Sequence, residues 1–217
     1  MPEYTLIQKI ALYALPALFA ITLHEAAHGY AALRLGDRTA QMLGRLTLNP
    51  LKHIDPIGTV VVPLVLLLTG SPALFGWAKP VPIGVRNFKN PRTDMVWVAA
   101  AGPASNLAMA LGWAIVLKLS VSGLVPENAA LPLASMAYFG VTINAVLAVF
   151  NMLPIPPLDG GRVLAGLVPP NVSDVLSRIE PFGMFIVFGL LYLQVLWTVV
   201  GPGVRVVRVL LLTAVGL

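Results

Sequence analysis

The stretch that decides the fold is 7-IQKIALYALPALFAITLHEAAHGYAALRL-35. It is longer than the ~20 apolar residues that a helix needs to cross a bilayer. It also outruns the apolar core of a secretory leader and shows no small-x-small cleavage site with a polar exit, so it reads as a retained helix. Yet His24, Glu25 and His28 lie inside it, with apolar residues on both sides. An ionisable side chain at bilayer depth is costly and is a functional hypothesis by default.

Working outward, four more apolar regions follow. They are Ile57 to Thr69, short and holding Pro63; Met95 to Ser120; Leu131 to Met152; and Pro181 to Leu217, broken by Gly201, Pro202 and Gly203. The whole chain matches this pattern. Of its 217 residues, 58% are hydrophobic and 11% charged, and its mean hydropathy is +0.86. A soluble domain carries about 25% charged residues, so a water-facing globule and a disordered chain are both excluded. The net charge of +5 comes with no basic cluster interleaved with aromatics, so no nucleic-acid partner is expected. With no cysteine, disulfides and thiolate metal sites are ruled out.

The basic residues set an orientation. Four fall in 34–56 (Arg34, Arg38, Arg45, Lys52), four in 75–94 (Lys79, Arg86, Lys89, Arg92), none in 121–132, and Arg162 and Arg178 in 154–180. The positive-inside tendency places the first, second and fourth stretches in the cytoplasm and the N-terminus outside. Basic loops then flank 57–69 on one side, so 57–74 is expected to be a re-entrant or irregular hairpin buried in protein. Thr39 to Leu48 and Lys79 to Phe88 read as short strands, the second confined to an edge by its prolines. The expected fold is an all-α integral membrane protein, a polytopic bundle of about five to six transmembrane helices with short membrane-associated β segments, in one domain over 1–217. The region 181–217 makes either one crossing or two.

The buried trio has the spacing H-E-A-A-H at 24–28. Residues four apart on a helix differ by about 40° in direction and about 6 Å in height. Two imidazoles so placed reach one metal ion, and Glu25 projects beside it, where a general base would stand. A third protein ligand must come from elsewhere: position 34 is Arg34, and no glutamate occurs between Glu25 and Glu127. Asp159 is the candidate, in Asn151-Met-Leu-Pro154-Ile-Pro156-Pro157-Leu158-Asp159-Gly160-Gly161-Arg162. The prolines stop the preceding helix and the glycines allow a tight return toward the bilayer. Two histidines, one carboxylate and a water are the shell of a catalytic zinc ion.

These motifs resemble the site-2 protease family of intramembrane zinc metalloproteases, in its compact prokaryotic form without PDZ or CBS domains. H-E-A-A-H and N-M-L-P-I-P-P-L-D-G-G-R carry the resemblance. Ala101-Gly102-Pro103-Ala104-Ser105-Asn106 is similar to a glycine-proline-x-x-asparagine stretch of those enzymes. The resemblance implies a catalytic core of three transmembrane helices and one zinc ion (Zn2+) near the cytoplasmic face of a prokaryotic plasma membrane. The implied metal ligands are His24, His28 and Asp159, and the implied catalytic residues are Glu25 as base and Asn151 as a substrate- or oxyanion-binding amide. The implied substrates are membrane-anchored proteins or peptides cleaved in or beside their membrane segments, in the lipid bilayer. Asn106 and Asn144 are weaker candidates for that amide role, and each could equally bond between helices. His53 reads as a structural loop residue. A divalent-metal transporter lined by His24, Glu25, His28 and Asp159 is the alternative function. Substrate, trigger and oligomeric state are not legible.

Overall fold

The computed structural model describes residues 4–68 and 76–217. Its elements are α1 (Leu6–Arg34), α2 (Thr39–Met42), a π-helical turn Pro56–Val61 that runs into α3 (Val62–Leu68), α4 (Pro91–Val121), α5 (Glu127–Asn151), α6 (Asp159–Leu167), α7 (Pro170–Tyr192) and α8 (Val195–Ala214). Five of them (α1, α4, α5, α7 and α8) are long and apolar enough to cross a membrane. The protein is an all-α, multi-pass membrane protein.

Helix α1 starts where Thr5 and Gln8 cap each other. Thr5 Oγ1 accepts from the Gln8 amide, and the Thr5 amide donates to Gln8 Oε1 at 2.9 Å. That reciprocal cap satisfies two amides that a helix start leaves unpaired. Pro91 opens α4 at a position where its missing N–H costs nothing. Helices α1, α4 and α5 pack side by side and alternate in direction. Tyr4 Oη meets Ser135 Oγ at 3.0 Å at one end. The opposite end gathers the C-terminus of α1, the N-terminus of α4 and the C-terminus of α5, and with them the basic loops. Helix α6 then lies against α4, where Arg92 Nε donates to the Gly166 carbonyl at 3.0 Å.

The expected β segments do not form: no strand occurs among the described residues. Thr39 instead enters the short helix α2, because Asp37 Oδ1 takes its amide at 3.0 Å and its hydroxyl at 2.5 Å. In 79–88, Pro80 and Pro82 have no N–H, and the amide between them, of Val81, is taken by Glu25 Oε2 at 2.8 Å. No donor ladder is left to pair with. A side chain links the two segments: Arg45 Nη2 donates to the Lys79 carbonyl at 3.1 Å.

The expected hairpin at 57–74 is partly outside the described residues, which stop at Leu68 and resume at Gly76. Its two ends do meet. Trp77 N donates to Gly58 O at 3.1 Å, Thr59 Oγ1 to Trp77 O at 2.8 Å, and Lys79 N to His53 O at 2.9 Å. The chain therefore returns to the level it left. In the C-terminal region the sequence punctuation misleads. Helix α7 begins at Pro170 and carries Pro181 within it, and α8 carries Pro202 within it, with Gly201 and Gly203 on either side. The break falls at Gln194, whose φ of 59° is left-handed. Two helices, not one, occupy 181–214.

Candidate metal centre

Three helices and one turn build the site. Helix α1 presents His24 and His28, each only 7% exposed, one turn apart on the face toward α4. Helix α4 makes room for them at Gly102. A Cβ there would overlap His28 Nε2 and stand 2.6 Å from His24 Cε1. That is a physical reason for glycine in the Gly102-Pro103-x-x-Asn106 stretch.

Asp159 arrives from the chain after α5. The turn 152–158 folds back tightly, and α6 starts at Asp159 itself. Cβ atoms at Gly160 and Gly161 would collide with the backbone of Met152 and Pro156. The pair of glycines thus lets the aspartate approach at 7% exposure. Asp159 Oδ2 stands 3.2 Å from His24 Nε2, and Oδ1 stands 3.4 Å from His28 Nε2. The two Nε2 atoms are 3.0 Å apart.

The surroundings fix which ring nitrogens carry protons. His28 Nδ1 lies 2.7 Å from the Val98 carbonyl, which can only accept. His24 Nδ1 lies 2.6 Å from Asn106 Oδ1. The orientation of Asn106 is set in turn, because its Nδ2 donates to the Ala20 carbonyl at 3.1 Å and to Asn144 Oδ1 at 2.9 Å. Asn144 Nδ2 donates to the Gly140 carbonyl at 2.9 Å. Reading back from that carbonyl, each amide is oriented by the next, and the chain ends with a proton on His24 Nδ1. A neutral imidazole protonated at Nδ1 has a bare lone pair at Nε2.

With both imidazoles neutral, the centre of the cluster is two imidazole lone pairs and a carboxylate, all acceptors, within 3.4 Å of one another across each pair above. Asp159 Oδ2 is buried without a hydrogen-bond donor. An acceptor-only cluster in a dry interior repels itself unless a cation sits among its members. His24, His28 and Asp159 are the group among the described residues whose ligand atoms could hold one metal ion, lying within 4.8 Å of each other. Nitrogen and oxygen donors in this number fit zinc.

Glu25 is brought to the rim. It is partly exposed, and its Oε2 accepts the Val81 amide at 2.8 Å, so the segment around Val81 borders the site. Asn151 is not drawn into the cluster, as its Nδ2 donates to the Leu147 carbonyl of its own helix at 3.0 Å. His53 is buried in the loop fold, its Nε2 2.9 Å from the Thr47 carbonyl. Asn106 and Asn144, weak candidates by sequence, turn out to orient a cluster ligand. Asparagines inside two apolar helices were the signal, but which partners they meet depends on helix packing.

The sequence profile of peptidase family M50 matches residues 120–193. Over 194 residues the chain is 42% identical to YwhC of Bacillus subtilis, a candidate zinc metalloprotease by its name, covering 86% of this chain and 84% of that one. The chain belongs to peptidase family M50. Rip2 of Mycolicibacterium smegmatis, also named a candidate zinc metalloprotease, is 31% identical over 174 residues, 80% of this chain and 64% of its own. A protein of the same description from Methanocaldococcus jannaschii is 42% identical over 67 residues, 31% of each chain. No solved structure matches. Membership in M50, the site-2 protease family, agrees with the motif pair at 24–28 and 151–162.

Proposed function

We propose that this protein is a membrane-embedded zinc endopeptidase that cuts membrane-anchored substrates in or beside their transmembrane segments, with its site toward the cytoplasmic side of a cell membrane. The acceptor-only cluster of His24 Nε2, His28 Nε2 and Asp159 carries the reading. Membership in a peptidase family and the metalloprotease names of the relatives support it. The basic loops at the same end support the cytoplasmic orientation.

In this reading His24, His28 and Asp159 hold one zinc ion, which when bound supplies Lewis acidity to a water and to the scissile carbonyl. Asn106 and the Val98 carbonyl keep both imidazoles in the ligating tautomer, a supporting role that orients metal ligands. Glu25, beside them on α1, takes the proton of the attacking water and returns it to the leaving amine. Its hydrogen bond from Val81 holds the carboxylate at the rim. Asn151 has a second amide N–H beyond the one given to Leu147, and this is the group proposed to meet the substrate carbonyl. The burial of the cluster keeps bulk water away from the reacting groups.

The test is Glu25→Gln in purified protein. The expected result is one bound zinc per chain, with cleavage of a reconstituted membrane-anchored peptide reduced by roughly 10²–10⁴. Retained cleavage removes Glu25 as the base. If the unaltered protein cuts no membrane substrate but carries zinc across vesicles, the transporter reading replaces this one.

A further inference from the structure

We propose that α7 does not cross the membrane. It lies in the plane of the lipid leaflet at the metal-cluster end, leaving α1, α4, α5 and α8 as the complete crossings among the described residues, with Tyr4 and Leu217 on the opposite side. This rests on connectivity and holds whether or not the site carries zinc.

The bundle has two ends. One gathers the start of α1, the end of α4 and the start of α5; the other carries the basic loops. Helix α8 packs along α5 in the reverse direction. A Cβ at Gly203 would stand 2.8 Å from Val149 Cγ1. Arg208 stacks over the Tyr138 ring at 4.6 Å and donates to its hydroxyl. Finally Lys118 Nζ, near the end of α4, donates to the Gly216 carbonyl at 2.6 Å. As residue numbers rise on α8 they fall on α5, so α8 runs from the basic end to the end where α4 turns into α5. Its last residues sit there, as does Tyr4 against Ser135.

Helix α7 must therefore start and finish at the basic end. It starts there because only two residues separate it from α6, whose Gly166 carbonyl binds Arg92 in the first turn of α4. It finishes there because Leu196, two residues into α8, packs in one cluster with Leu153 and Leu158 after the end of α5. A 23-residue helix is about 34 Å long, enough to span the hydrocarbon core. Its ends nevertheless share a side, so it lies across that face.

Its middle rests on the turn that carries Asp159. Arg162 Nη2 pairs with Glu180 Oε1 at 3.1 Å, and Gly183 sits so close to Pro156 that a Cβ would overlap the Pro156 carbonyl. The other faces of α7 are open. Phe182, Phe185 and Tyr192 are 65%, 76% and 88% exposed, while Asn171, Ser173, Asp174, Ser177 and Arg178 crowd its first half. Aromatic anchors and a polar stretch on one helix suit a lipid–water boundary. The proposed partner of the open apolar face is the acyl-chain boundary of that leaflet.

The chain contains no cysteine, so single cysteines report position cleanly. In sealed vesicles of known orientation, a membrane-impermeant maleimide should label Leu217→Cys from the same side as Leu124→Cys and from the opposite side to Lys52→Cys. Labelling of Leu217→Cys together with Lys52→Cys overturns the proposal. Spin labels at the exposed positions Phe182→Cys and Tyr192→Cys give a second reading through their immersion depth. An in-plane helix keeps the two within about 5 Å, whereas a crossing helix separates them by about 15 Å at 1.5 Å per residue, and that separation also overturns it.

Discussion

His24 Nδ1 donates to Asn106 Oδ1 at 2.6 Å, across 82 positions of sequence. This bond joins α1, which carries both cluster histidines, to α4, and Asn144 extends it to α5 at 2.9 Å. Replacing Asn106 with Ala should free His24 to change tautomer and rotate. Zinc affinity should fall about 10–100-fold, the usual effect of removing a group that orients a metal ligand. Asn144→Ala should act in the same direction and more weakly. Competition with a chromophoric chelator measures both, and unchanged affinity in Asn106→Ala would remove the orienting role.

Gly102 leaves no room for a methyl group beside the two imidazoles. Gly102→Ala should displace them, lowering zinc stoichiometry and costing about 1–3 kcal/mol of stability, as overpacking does. Gly112, on the same helix, faces open space, with nothing within 4 Å of where a Cβ would stand. Gly112→Ala should bind zinc normally and gain roughly 0.5–1 kcal/mol from helix propensity. Thermal unfolding in detergent, with metal analysis, compares the pair.

Asp37 supplies a pH dependence outside the membrane spans. Burial by itself would raise its carboxyl. Hydrogen bonds from Thr39 Oγ1, Asn87 Nδ2, and the Gly84 and Thr39 amides outweigh burial and hold it below the usual carboxylate range. A carboxyl lowered on folding stabilises the protein above its unfolded pKa of about 3.9, and the contribution is lost as pH falls through the folded value. Melting temperature should therefore drop as pH is lowered below about 4. Asp37→Asn should lower stability at neutral pH by about 1–3 kcal/mol and flatten that acid slope. An unaltered slope in the variant would assign the acid sensitivity elsewhere.

Metal removal should be visible in stability as well as activity. A ligand that binds only the folded state stabilises it by about 2.7 kcal/mol at one hundred times its dissociation constant. Chelator-treated protein should melt several degrees lower and recover on adding zinc. His24→Ala should show no such recovery. Equal recovery in both would place the stabilising metal outside the cluster.

Much of the site is readable along the chain because its determinants are local. Four-residue spacing puts His24 and His28 on one helix face by geometry alone. Asp159 stands out because it follows a proline-rich helix end and precedes two glycines. The failures are equally specific. Lys79 to Phe88 has a strand's composition, yet its one useful amide near the site, that of Val81, is spent on a carboxylate 56 positions away. The helix break at Gln194 carries no glycine or proline to announce it. Gly201 and Gly203 announce a break that does not occur, because Gly203 is where α8 packs closely on Val149.

Hydropathy and spacing along the chain were thus enough to establish a membrane protein, the positions of α1, α4 and α5, and His24, Glu25, His28 and Asp159 as its candidate chemistry. These are short-range properties, fixed within one helix or one turn. The tautomers of the two histidines, set by Asn106 and Val98, emerged only from the folded arrangement. So did the space that Gly102 makes for them and the antiparallel return of α8 along α5. These depend on which helix faces meet, and van der Waals packing between apolar helices leaves little trace of its register in any one of them.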